Sequence, residues 1–186
     1  MSKRPLDLVV GIPATLLALP ILAVTGLAVL LTSGWPVFLV QERVGARERP
    51  IHVIKLRTMR VGVPVVAKAL LDSTQARYTP LGPFLRRTSL DELPQLLNVL
   101  HGSMSLVGPR PALPTQHDLL ALRRRNGSVA LKPGLTGLAQ VLGRESLTLS
   151  TKARCDGLYA RRRSLWLDLG ILVWTIRALT GGRGAY

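Results

Sequence analysis

Residues 8–31 read LVVGIPATLLALPILAVTGLAVLL, and no charged side chain interrupts this run. Its length reaches the roughly 20 apolar residues that an α-helix needs to cross a bilayer. Signal peptides have shorter apolar cores, of about 7–15 residues, followed by a small-residue cleavage site, and no convincing site follows here. The run therefore predicts a membrane helix, and Asp7 beside it is expected to pair with Lys3 or Arg4 at the headgroup level.

The flanks of this helix leave its topology open. Lys3 and Arg4 precede it and Arg43 and Arg47 follow it, so the sequence lacks the charge asymmetry that orients a spanning helix. Pro20, near the middle, removes a backbone donor and predicts a kink. A bent, re-entrant helix that enters and leaves by one face satisfies both observations. From the residues alone, a spanning helix is an equally good interpretation.

The composition points to an anionic partner. The chain has 186 residues, with 25 Lys+Arg against 10 Asp+Glu, a net charge of +15 and a pI of about 11.5. Nucleic acid, an anionic membrane surface and a phosphorylated substrate all fit this charge. A hydrophobic share of 47% excludes a disordered basic tail, and an aromatic share of only 4% weakens a single-strand nucleic-acid interpretation. Cys155 is the only cysteine, so the fold has no internal disulfide.

The remainder predicts a small mixed fold, mainly α with some β. Val37-Phe38-Leu39-Val40 and Ile51-His52-Val53-Ile54-Lys55-Leu56 read as two strands, paired as a hairpin through Gly45. Residues 61–76 carry no motif and are expected at the surface. Residues 165–179, which include Trp166 and Trp174, predict a helix too short to span a membrane comfortably. This helix is either amphipathic in the membrane interface or a plain core helix.

The acids are concentrated where cations flank them. Residues 86–100 read RRTSLDELPQLLNVL and place the adjacent acids Asp91 and Glu92 beside Arg86 and Arg87. Such a pair could ligate a hard metal ion, or attack a phosphoryl group whose charge the cations neutralise. The alternative is structural, because Ser89-x-x-Glu92 fits a capping box at a helix start. A glycosidase pair is not expected, since neighbours in sequence rarely face each other across a sugar.

Further cations lie in patterns that suit a phosphate. Two prolines in Gly108-Pro109-Arg110-Pro111 fix the backbone around one guanidinium, although a plain surface turn has the same sequence. Lys55 and Arg57 have the spacing of one strand face and could grip a diphosphate, although a solvated strand edge has the same pattern. Asp156 and Asp168 read as partners of neighbouring arginines. The arginine runs at 123–125 and 161–163 are expected to face lipid phosphates or solvent.

Taken together, these segments resemble the bacterial sugar transferase family, the monotopic polyprenyl-phosphate phosphoglycosyl transferases. The matching motifs run in order through nearly the whole chain. They are Lys3-Arg4-x-x-Asp7, Gly34-x-Pro36-Val37-Phe38, Gln41-x-Arg43-x-Gly45, Lys55-Leu56-Arg57-Thr58-Met59, Ser89-Leu90-Asp91-Glu92-Leu93-Pro94-Gln95, Met104-Ser105-Leu106-Val107-Gly108-Pro109-Arg110-Pro111, Pro133-Gly134-Leu135-Thr136-Gly137, Gly143-Arg144, Asp156, Tyr159 and Asp168-Leu169.

The resemblance implies an α+β, mainly α, monotopic protein in the small, minimal form of the family. Residues 1–36 would form a re-entrant helix kinked at Pro20. Residues 37–186 would form one catalytic domain, with a small hairpin and interfacial amphipathic helices. The implied location is the cytoplasmic leaflet of the inner membrane, against anionic lipid.

The implied reaction moves a sugar 1-phosphate from a UDP-sugar to polyprenyl phosphate and releases UMP. Asp91 would be the nucleophile, Glu92 would support it, and Mg²⁺ would be required, with Asp91 as its ligand. The candidate substrate-binding residues are Lys55, Arg57, Arg86, Arg110, Asp156 and Asp168. A homodimer is left open and nucleic acid is not expected as a partner. The competing hypothesis is a membrane-tethered basic scaffold that binds nucleic acid or anionic lipid without catalysis.

Overall fold

The computed structural model describes residues 3–63, 77–143 and 146–180. Residues 64–76 of the expected surface segment, and Arg144 of the last glycine motif, lie outside these ranges. Within them the chain is mainly helical, as predicted, with two small two-stranded sheets, of which only the hairpin was predicted. The elements are α1 (Arg4–Ser33), β1 (Phe38–Val44), β2 (Pro50–Leu56), α2 (Gly82–Thr88), α3 (Gln95–His101), β3 (Ser105–Val107), α4 (His117–Asn126), β4 (Gly134–Thr136), α5 (Leu138–Leu142), α6 (Leu149–Arg162) and α7 (Leu165–Thr180).

The apolar run forms the 30-residue helix α1, which contains Pro13 and Pro20. Among the described residues it is the one helix long and apolar enough to cross a membrane. One side of α1 packs against the rest of the chain through the buried residues Asp7, Gly11, Thr15, Ala18 and Val29. The other side is exposed and apolar, with Val9, Leu16, Leu17, Val24 and Leu31 each more than half exposed. Helical periodicity of the sequence therefore produces one protein-facing and one outward-facing side.

The predicted hairpin is confirmed. Strands β1 and β2 pair antiparallel, with Phe38 opposite Leu56 and Val44 opposite Pro50. Gly45 opens the connection, where its N–H donates to the Arg49 carbonyl at 2.8 Å. A Cβ on Gly45 would lie 2.9 Å from that same oxygen, so the tight return of the chain requires glycine here.

A second sheet pairs two segments that are far apart in sequence. Strands β3 and β4 run parallel, with Ser105 opposite Gly134 and Val107 opposite Thr136. The backbones approach closely, because a Cβ on Gly134 would lie 2.1 Å from the amide nitrogen of Gly108. This contact brings the segment after β3, which carries Arg110, against the Pro133-Gly134 turn.

One core joins α1 to the rest of the chain. Buried side chains from α1, β2, α3, β3 and α7 meet in it, including Ala18, Val53, Val99, Val107 and Ile171. A smaller core joins the end of α1 to the hairpin and α2, through Val29, Val37, Leu56 and Leu85. The apolar helix is therefore packed on the remaining domain at its middle and near its C-terminal end.

Candidate active site

A left-handed residue sets the orientation of the acid pair. Helix α2 ends at Thr88, and Ser89 follows with φ of 59°, a conformation uncommon for a residue other than glycine. A 3₁₀ turn over Leu90–Glu92 comes next, and Pro94 then leads into α3. The sharp change of direction at Ser89 lets both acids leave the helical path and face the hairpin and the Arg110 loop.

Glu92 is held by two cations from different parts of the chain. Lys55 Nζ, on β2, lies 3.1 Å from Glu92 Oε1. Arg110 binds both oxygens, with Nη2 at 2.6 Å from Oε1 and Nη1 at 3.2 Å from Oε2. Burial alone would raise the pKa of Glu92, but the charges and hydrogen bonds of Arg110 and Lys55 outweigh it and hold the pKa well below its ordinary value. Glu92 is therefore ionised and fixed.

These contacts decide between the two interpretations of the acid pair. The Ser89 side chain makes no capping hydrogen bond, and the Glu92 carboxylate points to Lys55 and Arg110 rather than back to the backbone of Ser89. The capping-box interpretation is therefore wrong, and the acids belong to a charged cluster.

Asp91 is in a different state from its neighbour. It is only 7% exposed, and within the described ranges no hydrogen bond or ion pair reaches its carboxylate. Burial and the negative charge of Glu92 raise the pKa of Asp91 to about 6. The positive charges of Lys55, Arg86 and Arg110 act in the opposite direction. The result is an available carboxylate, ionised for the most part at neutral pH and more basic than an ordinary aspartate.

Two of the cations have further restraints. Burial lowers the pKa of Lys55, while the nearby Glu92 carboxylate favours its charged form. Arg86 donates from Nη1 to the Tyr78 hydroxyl at 3.1 Å, and its guanidinium lies 5.3 Å from the centre of the Tyr78 ring. Tyr78 was not a candidate in the sequence, since no pattern connects it to Arg86.

The structure brings four sequence-predicted residues, Lys55, Arg86, Arg110 and Glu92, around Asp91 and places three others elsewhere. Arg57 is buried at the end of α1, where Nη2 donates to the carbonyls of Ser33 at 2.5 Å and Gly34 at 2.6 Å. The strand ends at Leu56, so the expected shared face of Lys55 and Arg57 does not extend to Arg57. Its role here is to satisfy carbonyls at a helix terminus.

Asp156 and Asp168 each pair with a cation away from Asp91. Asp156, on α6, binds the buried Arg123 at 2.7 Å, and Asp168, on α7, binds Lys3 at 3.0 Å. The expectation that Arg123 faces lipid or solvent is wrong, because it is only 6% exposed. Its position was readable in part, since Leu119, Leu120 and Arg123 have the spacing of one helix face.

The start of α1 forms a polar cluster that the sequence did not resolve. Lys3 also binds the Tyr159 hydroxyl, which donates to Asp168 Oδ1 at 2.6 Å. Asp7 does not pair with Lys3 or Arg4 as expected. Its Oδ1 accepts instead from the Ser105 hydroxyl and the Leu106 amide, both at 2.9 Å. Asp7 is thereby buried in the protein and not solvated at a headgroup.

Comparison with known proteins defines the class to which this fold and site belong. The bacterial sugar transferase family model matches residues 1–182. The chain belongs to this family, and the resemblance drawn from its motifs is confirmed.

Individual relatives carry more specific names. A UDP-glucose:undecaprenyl-phosphate glucose-1-phosphate transferase of Caulobacter vibrioides is 40% identical over an alignment that covers 100% of this chain and 72% of the relative. A protein of the same name from Escherichia coli K12 is 39% identical, with 95% of this chain and 39% of the relative covered. An uncharacterized sugar transferase of Haemophilus influenzae is 37% identical, with 99% and 42% covered. Apart from the Caulobacter protein, the chain spans about two fifths of the length of these relatives.

Proposed function

We propose that this chain transfers a sugar 1-phosphate from a UDP-sugar to polyprenyl phosphate, through a covalent phospho-sugar intermediate on Asp91. An Asp91 oxygen attacks the β-phosphorus, the bond from that phosphorus to the oxygen bridging the two phosphates breaks, and UMP leaves with the electron pair. A phosphate oxygen of the lipid then attacks the same phosphorus and the bond to Asp91 breaks. The products are polyprenyl diphosphate sugar and the original carboxylate.

The main support for this proposal is the difference between the environments of Glu92 and Asp91. Glu92 is occupied by two cations, whereas Asp91 is buried and receives no hydrogen bond from the described residues. A nucleophile needs a free lone pair and benefits from raised basicity, and Asp91 has both. Glu92 is better suited to holding Lys55 and Arg110 beside it.

The surrounding cations would reduce the repulsion between the Asp91 carboxylate and the donor diphosphate. An anionic carboxylate that approaches an anionic diphosphate is repelled, unless positive charge lies where negative charge builds up. Lys55, Arg86 and Arg110 are all close enough to Asp91 to influence its pKa. Arg110 and Arg86 offer planar guanidinium groups, which suit phosphate oxygens.

The residues present fit the Mg²⁺ that the family implies. Within the described residues no three His, Cys, Asp or Glu side chains come together as a metal cage. Mg²⁺ is commonly bound by one or two carboxylates, with water and substrate phosphates completing its shell. The carboxylate of Asp91, which has no hydrogen-bond partner among the described residues, is the candidate protein ligand. When bound, the ion would neutralise charge on the diphosphate.

The packing of α1 supports a monotopic, re-entrant arrangement. Near its start, Arg4 donates to the Val99 carbonyl at 2.6 Å, and at its end Arg57 binds the Ser33 and Gly34 carbonyls. Both termini are thus tied by charged side chains to one domain. A spanning helix would place its ends on opposite sides of about 30 Å of hydrocarbon. Polar attachment of both ends to one domain favours entry and exit on the same side.

Exposed apolar residues and basic charge favour the cytoplasmic leaflet. Helix α7 buries Asp168 and Ile171 but leaves Trp166 81% exposed and Trp174 48% exposed. Tryptophan is enriched at membrane interfaces, and an amphipathic helix can lie in that plane. A net charge of +15 favours contact with anionic cytoplasmic headgroups. The acceptor phosphate would be at this level.

The direct experiment measures UMP release by protein in lipid nanodiscs with polyprenyl phosphate and a panel of UDP-sugars. The names of the relatives make UDP-glucose the first donor to test and UDP-galactose the second. We expect metal-dependent UMP release that disappears in Asp91→Asn and persists in Asp118→Asn, which changes an exposed acid on α4. Absence of UMP with every donor, together with salt-dependent anion binding that survives Asp91→Asn, would support the scaffold hypothesis instead.

A trapping experiment tests the covalent step. Protein incubated with donor labelled on the β-phosphorus, without lipid acceptor, should retain the label after denaturation and lose it to hydroxylamine. Asp91→Asn should retain none. A wild-type protein that turns over with lipid but never holds label without it would indicate direct displacement in a ternary complex.

A further inference from the structure

The loop that presents Arg110 is held at every carbonyl. The four oxygens of residues 109–112 each accept a hydrogen bond, at 2.9, 3.0, 3.1 and 2.9 Å in chain order. The donors, in the same order, are the Gly134 amide, the Arg123 guanidinium, the Arg43 guanidinium and the Val44 amide. Two parts of the backbone and two arginine side chains therefore fix one short segment.

The donor to the Arg110 carbonyl is itself immobilised. Arg123 Nε and Nη2 bind Asp156 Oδ2 at 2.9 and 2.7 Å, and Nη1 is left to reach the carbonyl of Arg110. The side chains of Arg123 and Asp156 are 7% and 2% exposed. A planar guanidinium that binds a buried carboxylate on one side presents its remaining N–H in a fixed direction.

The side chain of Arg110 is less restrained by packing than those of its two neighbours in the site. Its side chain is 43% exposed, whereas Lys55 and Glu92 are 15% and 18% exposed. Packing therefore restrains Arg110 less than its two neighbours. The direction in which its fork points depends more strongly on where its backbone is held.

We propose that Arg123, oriented by Asp156, is a positioning residue that sets the Arg110 guanidinium against Glu92 and the donor diphosphate. This inference rests on the proposed function. It gives Asp156 an indirect part in the reaction, through Arg123 and the Arg110 carbonyl, in place of the direct substrate contact expected from the sequence.

The test is a double-mutant cycle between Arg123 and Arg110. Arg123→Lys keeps a charge for Asp156 but cannot reach both Asp156 and the Arg110 carbonyl with one rigid fork. We expect kcat/KM for UMP release to fall on the order of 10-fold to 100-fold, the range for lost positioning. In an Arg110→Met background the same change should have no further effect. Arg125→Lys, on the exposed side of α4, is the matched control and should leave kcat/KM unchanged.

The cycle separates positioning from loss of folded protein. A structural role alone would lower activity by the same factor with and without Arg110, and that result would overturn the inference. So would an Arg123→Lys protein with wild-type kcat/KM. If Arg123→Lys does not fold, the same double-mutant cycle is run with Asp156→Asn. Asn has nearly the shape of Asp but lacks its charge, so this change weakens the interaction that orients Arg123. Wild-type protein that releases no UMP refutes the proposed function, whereas an active wild type with multiplicative effects refutes this inference alone.

Discussion

Replacing the proposed nucleophile should make the protein more stable. The Asp91 carboxylate is buried and receives no hydrogen bond from the part of the chain that the structure describes, and its pKa rises from an ordinary 3.8 to about 6. At 1.36 kcal/mol per pKa unit, this difference corresponds to about 3 kcal/mol against the folded state whenever Asp91 is ionised. Asn resembles the protonated acid in shape and charge, so Asp91→Asn should recover up to about 3 kcal/mol at pH 8 in metal-free protein.

The pH dependence follows from the direction of the shift. Between pH 3.8 and about 6 the folded state holds the Asp91 proton more tightly than the unfolded state does. Stability therefore falls as the pH rises through that window, and the full cost is present above it. The advantage of Asp91→Asn should be absent near pH 3.5 and complete above pH 7.

Thermal unfolding in detergent with EDTA, followed by circular dichroism, measures this effect. For a chain of this size about 3 kcal/mol corresponds to a rise of roughly 6–12 °C in the midpoint at pH 8. Asp118→Asn is the control, because its acid is exposed and its loss should change the midpoint little. A midpoint for Asp91→Asn below wild type at pH 8, or a gain that is equal at pH 4 and pH 8, would refute the reasoning.

Three further predictions follow from the same contacts. Glu92→Gln should destabilise the protein by about 3–5 kcal/mol, because it leaves buried cations without their partner, and a midpoint that rises would contradict this. EDTA should stop UMP release and added Mg²⁺ should restore it, whereas full activity in EDTA would exclude an essential metal. Arg57→Met should lower the unfolding midpoint, because hydrogen bonds from a charged group contribute about 1.5–3 kcal/mol each, and should leave KM for the UDP-sugar unchanged. An increased KM at an unchanged unfolding midpoint would indicate that Arg57 binds substrate, as the sequence analysis expected.

Local patterns in the sequence predicted the elements whose formation depends on neighbouring residues. The uninterrupted apolar run predicted α1, and two β-branched segments around Gly45 predicted the hairpin and its connection. The acid pair stood out because carboxylates are scarce in so basic a chain. In each case the signal lies within a few neighbouring residues.

Long-range partners were not readable in the same way. Strands β3 and β4 have three residues each, too few to show a period. Arg123 and Arg125 are the same residue type two positions apart, yet one is buried against Asp156 and the other is exposed. Asp7 has cations three and four residues before it, but its partners come from β3, about a hundred residues later. A single sequence gives no measure of which distant segment supplies a partner.

Helix α3 links the proposed chemistry to the proposed membrane anchor. The acid pair stands just before its first turn, and Arg4 at the start of α1 donates to carbonyls in its last turn. Seven residues of α-helix rise only about 10 Å. In the proposed arrangement the depth at which α1 enters the membrane therefore determines how far Asp91 lies from the headgroups. The lipid acceptor carries its phosphate at the level of the headgroups. A rigid connection between the membrane helix and Asp91 would therefore hold the nucleophile at the depth of the acceptor phosphate.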